Sequence, residues 1–424
     1  IRGAEDGWRG RARGLRRRLE DLIADDAAAL ADLEAALEAA RGLPSQGWQK
    51  RISAAQPLGP AETFFMTVRQ SLYTRTEDTI SPYDLQAHLH PAAADVATAA
   101  APLRKSLARL GTPLRQLASR LKSVLDDRAD ELDSTERARL EGAIRGLELR
   151  AAGPVSGWQA LLDSVINGPL DGFVDWMQID RIDGTDRDVG LARHWLDPTI
   201  PFASMVLTPA HGVAVTSATL RDPLPAPIDT AGADRADGAA GSGGPAAPTP
   251  WDSALVVTGA AHLDHAAMRA GFDSPFDYAA QTRILVVNDV ERERPEATAA
   301  AMAALMVAAR GGGLGLFTAI RRLRAVHPEL MRRLEAEGLP LYAQHVDRMN
   351  LQTLLQIFRE EPHSCLLGTD AVRDGIDVPG AALRLIIFDR MPWPRADILF
   401  KARAEWQGRD AWTDRTARLK LRQA

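Results

Sequence analysis

The chain has 424 residues, 46% hydrophobic and 25% charged, a globular composition too long for one ordinary core, so two or three domains are expected. Its formal net charge of -5 neither supports nor excludes a nucleic-acid partner, because a DNA track needs only a local basic patch. The single cysteine, Cys365, excludes an internal disulfide and a cluster of cysteine metal ligands; without a long apolar run or a signal-like opening, neither a membrane span nor secretion is indicated, and the expected location is the reducing cytoplasm.

The first 154 residues are rich in alanine, leucine and arginine at helical spacing. Leu15, Leu19, Leu22, Ile23, Leu30, Leu33 and Leu37 form one apolar stripe, which Gly42 and Pro44 should end. Leu103, Leu107, Leu110, Leu114, Leu117, Leu121 and Leu125 hold a second stripe, and Gly111 and Pro113 are expected to divide it into two helices with Thr112 as a cap. A further helix should follow Asp133, whose spacing to Glu136 fits a capping box, and carry Leu140, Ile144 and Leu147. The pattern predicts a helical bundle or long hairpin. The arginines at 9, 11, 13, 16, 17 and 18 fit a solvated helix face better than a phosphate track.

Residues 155–221 turn to short β-like runs, ending in Gly212-Val213-Ala214-Val215 and then Thr216-Ser217-Ala218-Thr219-Leu220. Residues 222–250 collapse into small and polar types with only Leu224, Ile228 and Arg235 outside that set, and read as a disordered loop. From 251 to 424, strand and helix signals alternate: strands at Ala254 to Val257 and Ile284 to Val287, a helix near 296–309, and a strand at Leu314 to Phe317. A helix near 319–336, a strand at Leu339 to Tyr342, a helix near 347–360, and strands at Ser364 to Leu367 and Leu383 to Phe388 complete the series. Buried strands separated by helices specify a parallel sheet covered on both faces. Ile1 opens the chain and Ala424 closes it inside a helical pattern, so it reads as a fragment.

The chemistry concentrates at strand ends. Hydroxyls and amides in Thr216-Ser217-Ala218-Thr219-Leu220 would face the crevice where ligands of parallel sheets sit, although in isolation small residues in a plain turn explain the run better. The sharpest stretch is Gly368-Thr369-Asp370-Ala371-Val372-Arg373-Asp374-Gly375-Ile376-Asp377-Val378-Pro379-Gly380, directly after an apolar strand. Its glycines can let a phosphate backbone approach, and its carboxylates can accept from a ribose hydroxyl or fix an arginine.

Together with Leu316 to Ala319 and with Arg418-Leu419-Lys420-Leu421-Arg422-Gln423-Ala424, these runs occur in the order of helicase motifs. They resemble motifs III, IV, V and the start of VI in DinG/XPD-like helicases of superfamily 2. Ser274-Pro275-Phe276-Asp277-Tyr278 and Phe388-Asp389-Arg390-Met391-Pro392-Trp393-Pro394 are also similar to DinG-like segments. The resemblance covers about residues 155–424. It implies a RecA-like α/β motor domain at 251–424, closing strands of a first motor domain at 155–221, and an arch-like helical insertion, with the end of that domain, at 1–154. It further implies that Thr216, Ser217 and Thr219 couple an ATP cleft to DNA and that Thr318 and Thr369 lie near the DNA backbone. Gly375 and Asp377 would face the nucleotide, and Asp377 and Gln423 would be the catalytic positions, Gln423 opening motif VI.

The implied cofactors are ATP and Mg2+, held mainly by a first motor domain; the implied partner is single-stranded or forked DNA, travelled 5′ to 3′, and a monomer is favoured with the oligomeric state left open. An iron–sulfur cluster would need cysteines ahead of motif II and is left open. Three departures bear on the transfer: Ala319 stands where serine is common, Asp374 where glutamate is common, and the phosphate loop, the DEAH carboxylates and the motif VI arginines are missing from these residues. By itself the segment is not expected to hydrolyse ATP. A non-catalytic nucleic-acid-binding scaffold on the same fold is the alternative, and a dinucleotide enzyme is disfavoured because no G-x-G-x-x-G opens a helix after a strand. His88 with His90, and His262 with His265, lack a partnering carboxylate–histidine pattern, so no metal is assigned. Cys365 reads as a buried structural thiol and Trp393 as a packing anchor.

Overall fold

The computed structural model describes residues 16, 19, 22–77, 79–80, 83–222, 249–291, 293–373 and 377–423. The chain divides into two compact units, one of 1–197 with 397–402 and one of 198–396 with 403–424.

The first unit is a helical bundle carrying a small sheet. Its helices are α1 (Ala27–Ala40), α2 (Trp48–Ser53), α3 (Gly59–Arg75), α4 (Ala94–Asp127), α5 (Ser134–Arg150) and α6 (Ser156–Asn167). α1 starts later than the leucine stripe predicts, because the Asp26 carboxylate accepts from Ala28 N and Ala29 N at 2.9 Å each and caps the helix there. Leu19 and Ile23 are buried all the same, whereas Leu15 lies outside the described residues.

The expected break at Gly111 and Pro113 does not occur: α4 runs unbroken for 34 residues with Pro102 and Pro113 inside it. Leu107, Leu110, Leu114, Leu117 and Leu121 are all buried across that point. Each contributes roughly 1.5–3 kcal/mol on burial, together well above the roughly 3 kcal/mol an internal proline costs. Gly111 serves close packing instead, since a Cβ there would lie 3.1 Å from Val155 Cγ1. α5 has the capping box read from Asp133 and Glu136, and buries Leu140, Ile144 and Leu147.

Strands β1 (Leu85–His88), β2 (Phe173–Ile182) and β3 (Thr185–Trp195) form an antiparallel sheet in that order. Asp183 and Gly184, both at positive φ, make the two-residue turn between β2 and β3, as an Asp-Gly hairpin requires. Met177 and Ile179 of β2 join the helical core, while Val174 and Trp176 on the other face are buried with Ile398.

In the second unit α7 (Thr199–Phe202), α8 (Asp252–Val257) and α9 (Tyr278–Gln281) are short and lead to a covered sheet. That sheet alternates α10 (Pro295–Ala308), β4 (Gly313–Leu316), α11 (Ile320–Ala336), β5 (Leu341–Ala343), α12 (Leu351–Glu360), β6 (Cys365–Gly368), α13 (Asp370–Arg373) and β7 (Leu385–Phe388). α14 (Ile398–Gln407), whose residues 398–402 fall in the first unit, and α15 (Arg409–Gln423) follow. The four strands are parallel in the order β5-β6-β4-β7. Leu314 and Leu316 pack with Leu354, Leu355 and Phe358 of α12 on one face; Cys365 and Leu367 pack with α10 and α11 on the other. β4 can approach α10 closely because Gly315 has no side chain: a Cβ there would meet Met302 Cε and Leu367 Cδ2 at 2.6 Å. This is the mixed α/β, RecA-like sheet expected, together with a helical region.

Three strand expectations fail. Residues 254–257 belong to helix α8, where the Asp252 carboxylate accepts from Thr249 N at 2.6 Å and sets the first turn. Residues 284–287 and 213–215 have no regular secondary structure and are exposed, with no ladder partner among the described residues. An apolar run states a preference for a covered strand, but only a neighbouring strand makes one. Of the stretch read as a disordered loop, 223–248 lie outside the described residues, and its flanks meet where Asp222 N donates to Pro250 O at 2.7 Å. Among the described residues no helix is long and apolar enough to cross a membrane, and no three metal-ligating side chains gather.

Candidate nucleotide and nucleic-acid edge

The carboxyl ends of the four parallel strands form one edge, and the turns leaving them are stitched by backbone bonds. Phe317 N donates to Gly368 O at 2.9 Å, Gln344 N to Leu367 O at 2.9 Å, and Asp389 N to Leu316 O at 3.0 Å. Thr318 and Thr369 therefore leave neighbouring strands β4 and β6 at this edge. Thr318 is exposed. Thr369 is fixed by Gln344, whose Oε1 accepts from Thr369 N and Oγ1 at 3.0 Å each. Gln344 carried no signal in the sequence, since it is an isolated polar residue one step past a short strand.

Asp389 anchors the opposite side of the edge. Its carboxylate accepts both bonds from Arg322 Nε, at 3.0 and 2.8 Å, and Arg322 Nη2 donates to Thr298 Oγ1 at 2.9 Å. Beside β5, the His345 carbonyl accepts from Arg324 Nε and Nη2 at 3.2 and 3.1 Å. Burial, and then the Arg324 cation, lower the His345 imidazole below its ordinary value, so it is a neutral group near pH 7.

After β6 the chain turns at once into α13. Gly368 does not open a phosphate cradle: a Cβ there would lie 2.3 Å from Val372 Cγ2, so the missing side chain admits the chain's own valine. Asp370 accepts from Arg373 Nη1 at 2.8 Å and from Lys420 Nζ at 3.3 Å. Gly375 lies outside the described residues. Asp377 is exposed, and its carbonyl accepts from Arg359 Nε at 2.8 Å. Gln423 ends α15.

The Ser217 and Thr219 hydroxyls are 3.0 Å apart, and Thr219 N donates to Ser217 Oγ at 3.2 Å, so the run after Val215 is a self-bonded turn. It continues to Arg221, whose carbonyl accepts from Arg422 Nη2 of α15 at 3.0 Å. The structure thus brings Thr318, Thr369 and Gln344 to one edge and links the 217–221 turn and Asp370 to α15. It shows no bond from Ser217, Thr219 or Asp377 to that edge's hydroxyls. Of the histidines weighed as ligands, His90 Nε2 lies 3.2 Å from Asp175 and His262 Nε2 lies 2.9 Å from Thr199 Oγ1. Cys365 is fully buried, and burial raises its thiol.

Residues 302–424 match the family described as helicase C-terminal domain. An ATP-dependent helicase DinG of Mycobacterium tuberculosis (strain ATCC 25618 / H37Rv) is 38% identical over 96 residues, which are 23% of this chain and 14% of that protein. A 3'-5' exonuclease DinG of Bacillus subtilis (strain 168) is 33% identical over 84 residues, 20% of this chain and 9% of that protein. An ATP-dependent DNA helicase YoaA of Haemophilus influenzae is 43% identical over 65 residues, 14% of this chain and 10% of that protein. The matched stretch is thus at most 14% of these relatives' length. A parallel sheet with a stitched carboxyl edge and these likenesses agree on one conclusion: over its C-terminal region the chain resembles DinG-like helicases, with residues 302–424 matching the helicase C-terminal domain family.

Proposed function

We propose that this chain supplies the second motor half of an ATP-dependent DNA helicase that moves 5′ to 3′ along single-stranded DNA in the cytoplasm, as a monomer, in repair or replication. In this reading 251–424 is the second RecA-like domain, 155–221 closes the first, and 1–154 is the arch-like insertion with the end of that first domain. The observation that carries it is the placement of Thr318 and Thr369 at the ends of adjacent parallel strands, the side of such a sheet where ligands bind.

The residues present do not by themselves fit a triphosphate and Mg2+. Gly368 is filled by Val372, Thr369 is engaged by Gln344, and no G-x-x-x-x-G-K-S/T loop occurs in the sequence. The phosphates would be held by a first motor domain, with this edge closing on them. Here Thr318 and Thr369 contact the DNA backbone, Gly375 and Asp377 face the nucleotide, Ser217 and Thr219 couple the two, and Gln423 opens the segment toward the charge that develops in transfer.

The test uses the protein with its first motor domain present. ATP hydrolysis should rise on adding single-stranded or forked DNA, and Asp377→Ala should cut the stimulated rate at least about tenfold, a loss of about 1.4 kcal/mol of transition-state stabilisation, with unchanged folding by circular dichroism. Normal stimulated turnover in that variant would remove Asp377 from the site, and ATP-independent DNA binding without hydrolysis would favour a scaffold.

A further inference from the structure

We propose that Asp222 and Asp370 are positioning residues that seat helix α15 from two sides, making α15 the element through which the Ser217–Thr219 turn and the Thr369 strand end communicate. The claim about communication rests on the helicase reading; the claim about seating does not.

The helix presents its cations in two directions. Arg418 and Arg422 are four residues apart and share a face, whereas Lys420 lies about 200° round the axis from Arg418 at 3.6 residues per turn. On the first face Arg418 Nη2 is 3.7 Å from Asp222 Oδ2, and Arg422 Nη2 donates to Arg221 O at 3.0 Å. On the second, Lys420 Nζ donates to Asp370 Oδ2 at 3.3 Å, and Asp370 also holds the nearly buried Arg373 at 2.8 Å. One side of α15 therefore grips the chain two to three residues after Thr219, and the other grips the residue after Thr369.

A second cation on the same helix, Arg415, feels the Asp222 charge. Arg415 is only 5% exposed; it donates to Gln407 Oε1 at 2.7 Å and lies 4.8 Å from the Trp412 ring, both neutral groups. Burial lowers its pKa, the Asp222 carboxylate pulls it back up, and the neighbouring Arg418 lowers it again. The Asp222 side chain is only 14% exposed and its carboxylate lies 3.7 Å from Arg418 Nη2, so this pair is partly withdrawn from solvent. Asp222 N is in turn fixed to Pro250 O at 2.7 Å, which ties the grip to the backbone.

Hydrogen–deuterium exchange on the 424-residue chain reads the seating directly. Asp222→Asn should speed exchange about fivefold, the upper end for one partly exposed pair, in 415–423 and in 217–221 together, leaving β4 to β7 unchanged. Asp370→Asn should speed 415–423 and 369–373 together. Asp222→Arg combined with Arg418→Asp should restore protection that either change alone removes. Unchanged exchange in α15 in both single variants, or a rise that the charge exchange does not reverse, overturns the proposal. If Asp222→Asn unfolds the chain, Arg418→Gln removes the same pair from the helix side and must give the same paired pattern, or the proposal fails.

For the communication claim, Asp222→Asn in the protein with its first motor domain should lower the DNA-stimulated kcat while the KM for ATP and the unstimulated rate hold. An unchanged stimulated kcat overturns that claim. Absence of any ATPase in the unsubstituted protein sinks the helicase reading instead, and the exchange experiment still decides the seating.

Discussion

Removing the Asp389 carboxylate should be the most damaging single change at the sheet edge. The Asp389 side chain is 1% exposed and that of Arg322 15%, and the pair is joined by two bonds of 3.0 and 2.8 Å, with Thr298 Oγ1 satisfying a further guanidinium donor. Asp389→Ala leaves a mostly buried cation without its counter-charge, for which about 3–5 kcal/mol is the expected cost. Replacing both partners, Arg322→Met with Asp389→Leu, should cost far less than the sum of the single changes, with a coupling of about 0.5–3 kcal/mol. Because the two compact units need not unfold together, the loss should be read as urea-dependent exchange of the β4 and β7 amides. Asp389 N also holds Leu316 O, so the same variant should loosen the turn at Thr318. A cost below about 1 kcal/mol, as for an exposed pair, would refute the view that this bridge fixes the edge.

Gly368→Ala should destabilise the second unit by about 1–3 kcal/mol through overpacking, and Val372→Ala in the same chain should relieve part of it, read by the same exchange; an unaffected β6 would show that α13 shifts freely. Burial raises the Asp175 carboxyl, but Arg193, Ser164 and His90 more than offset this and hold it below its ordinary 3.8. Its contribution to the first unit is therefore complete above 3.8 and lost as pH falls through the lower folded value, so Asp175→Asn should weaken that unit at pH 7 and flatten its acid unfolding profile. Burial depresses the His327 imidazole below 6.5, with Asp347 opposing, and its buried Nε2 has no hydrogen-bond partner among the described residues. The unfolded chain then binds the proton more tightly, so the second unit should lose stability as pH drops below 6.5, and His327→Leu should remove that slope in melting curves.

Where periodicity and capping agreed, the elements were legible. The Asp133–Glu136 box starts α5 where its spacing says it should, and Asn350, accepting from Thr353 N at 2.9 Å, trims α12 to a start four residues later than the apolar run suggests. Where two local signals conflicted, packing decided. Gly111 and Pro113 are breakers by composition, yet the leucines on either side share one buried stripe and α4 passes through them. The runs 213–215 and 284–287 fail for the opposite reason, because apolarity cannot state whether a neighbouring strand is there to pair. The β2–β3 hairpin is signalled by Asp183-Gly184, an Asp-Gly pair of the kind that closes a two-residue turn.

The candidate site divides along the same line. Thr318 and Thr369 could be placed because each follows an apolar strand of a parallel sheet, and position after such a strand is itself structural information. Gln344, Arg322 and Asp389 could not, because each acts on a residue far away in sequence: Gln344 on Thr369, and Arg322 on Asp389 across 67 positions. The glycine of the sharpest motif shows the limit most clearly. Gly368 has the residue type a phosphate approach needs, but the space beside it belongs to Val372, four residues on, so its role is to let α13 begin against β6. A motif names the residues allowed at an edge; whether a small residue faces a ligand or its own chain is settled by the side chain packed against it. If that packing is what holds the edge in shape, the groups to substitute first are Gln344, Asp389 and Val372, whose removal should disturb the placement of Thr318 and Thr369 without touching either hydroxyl.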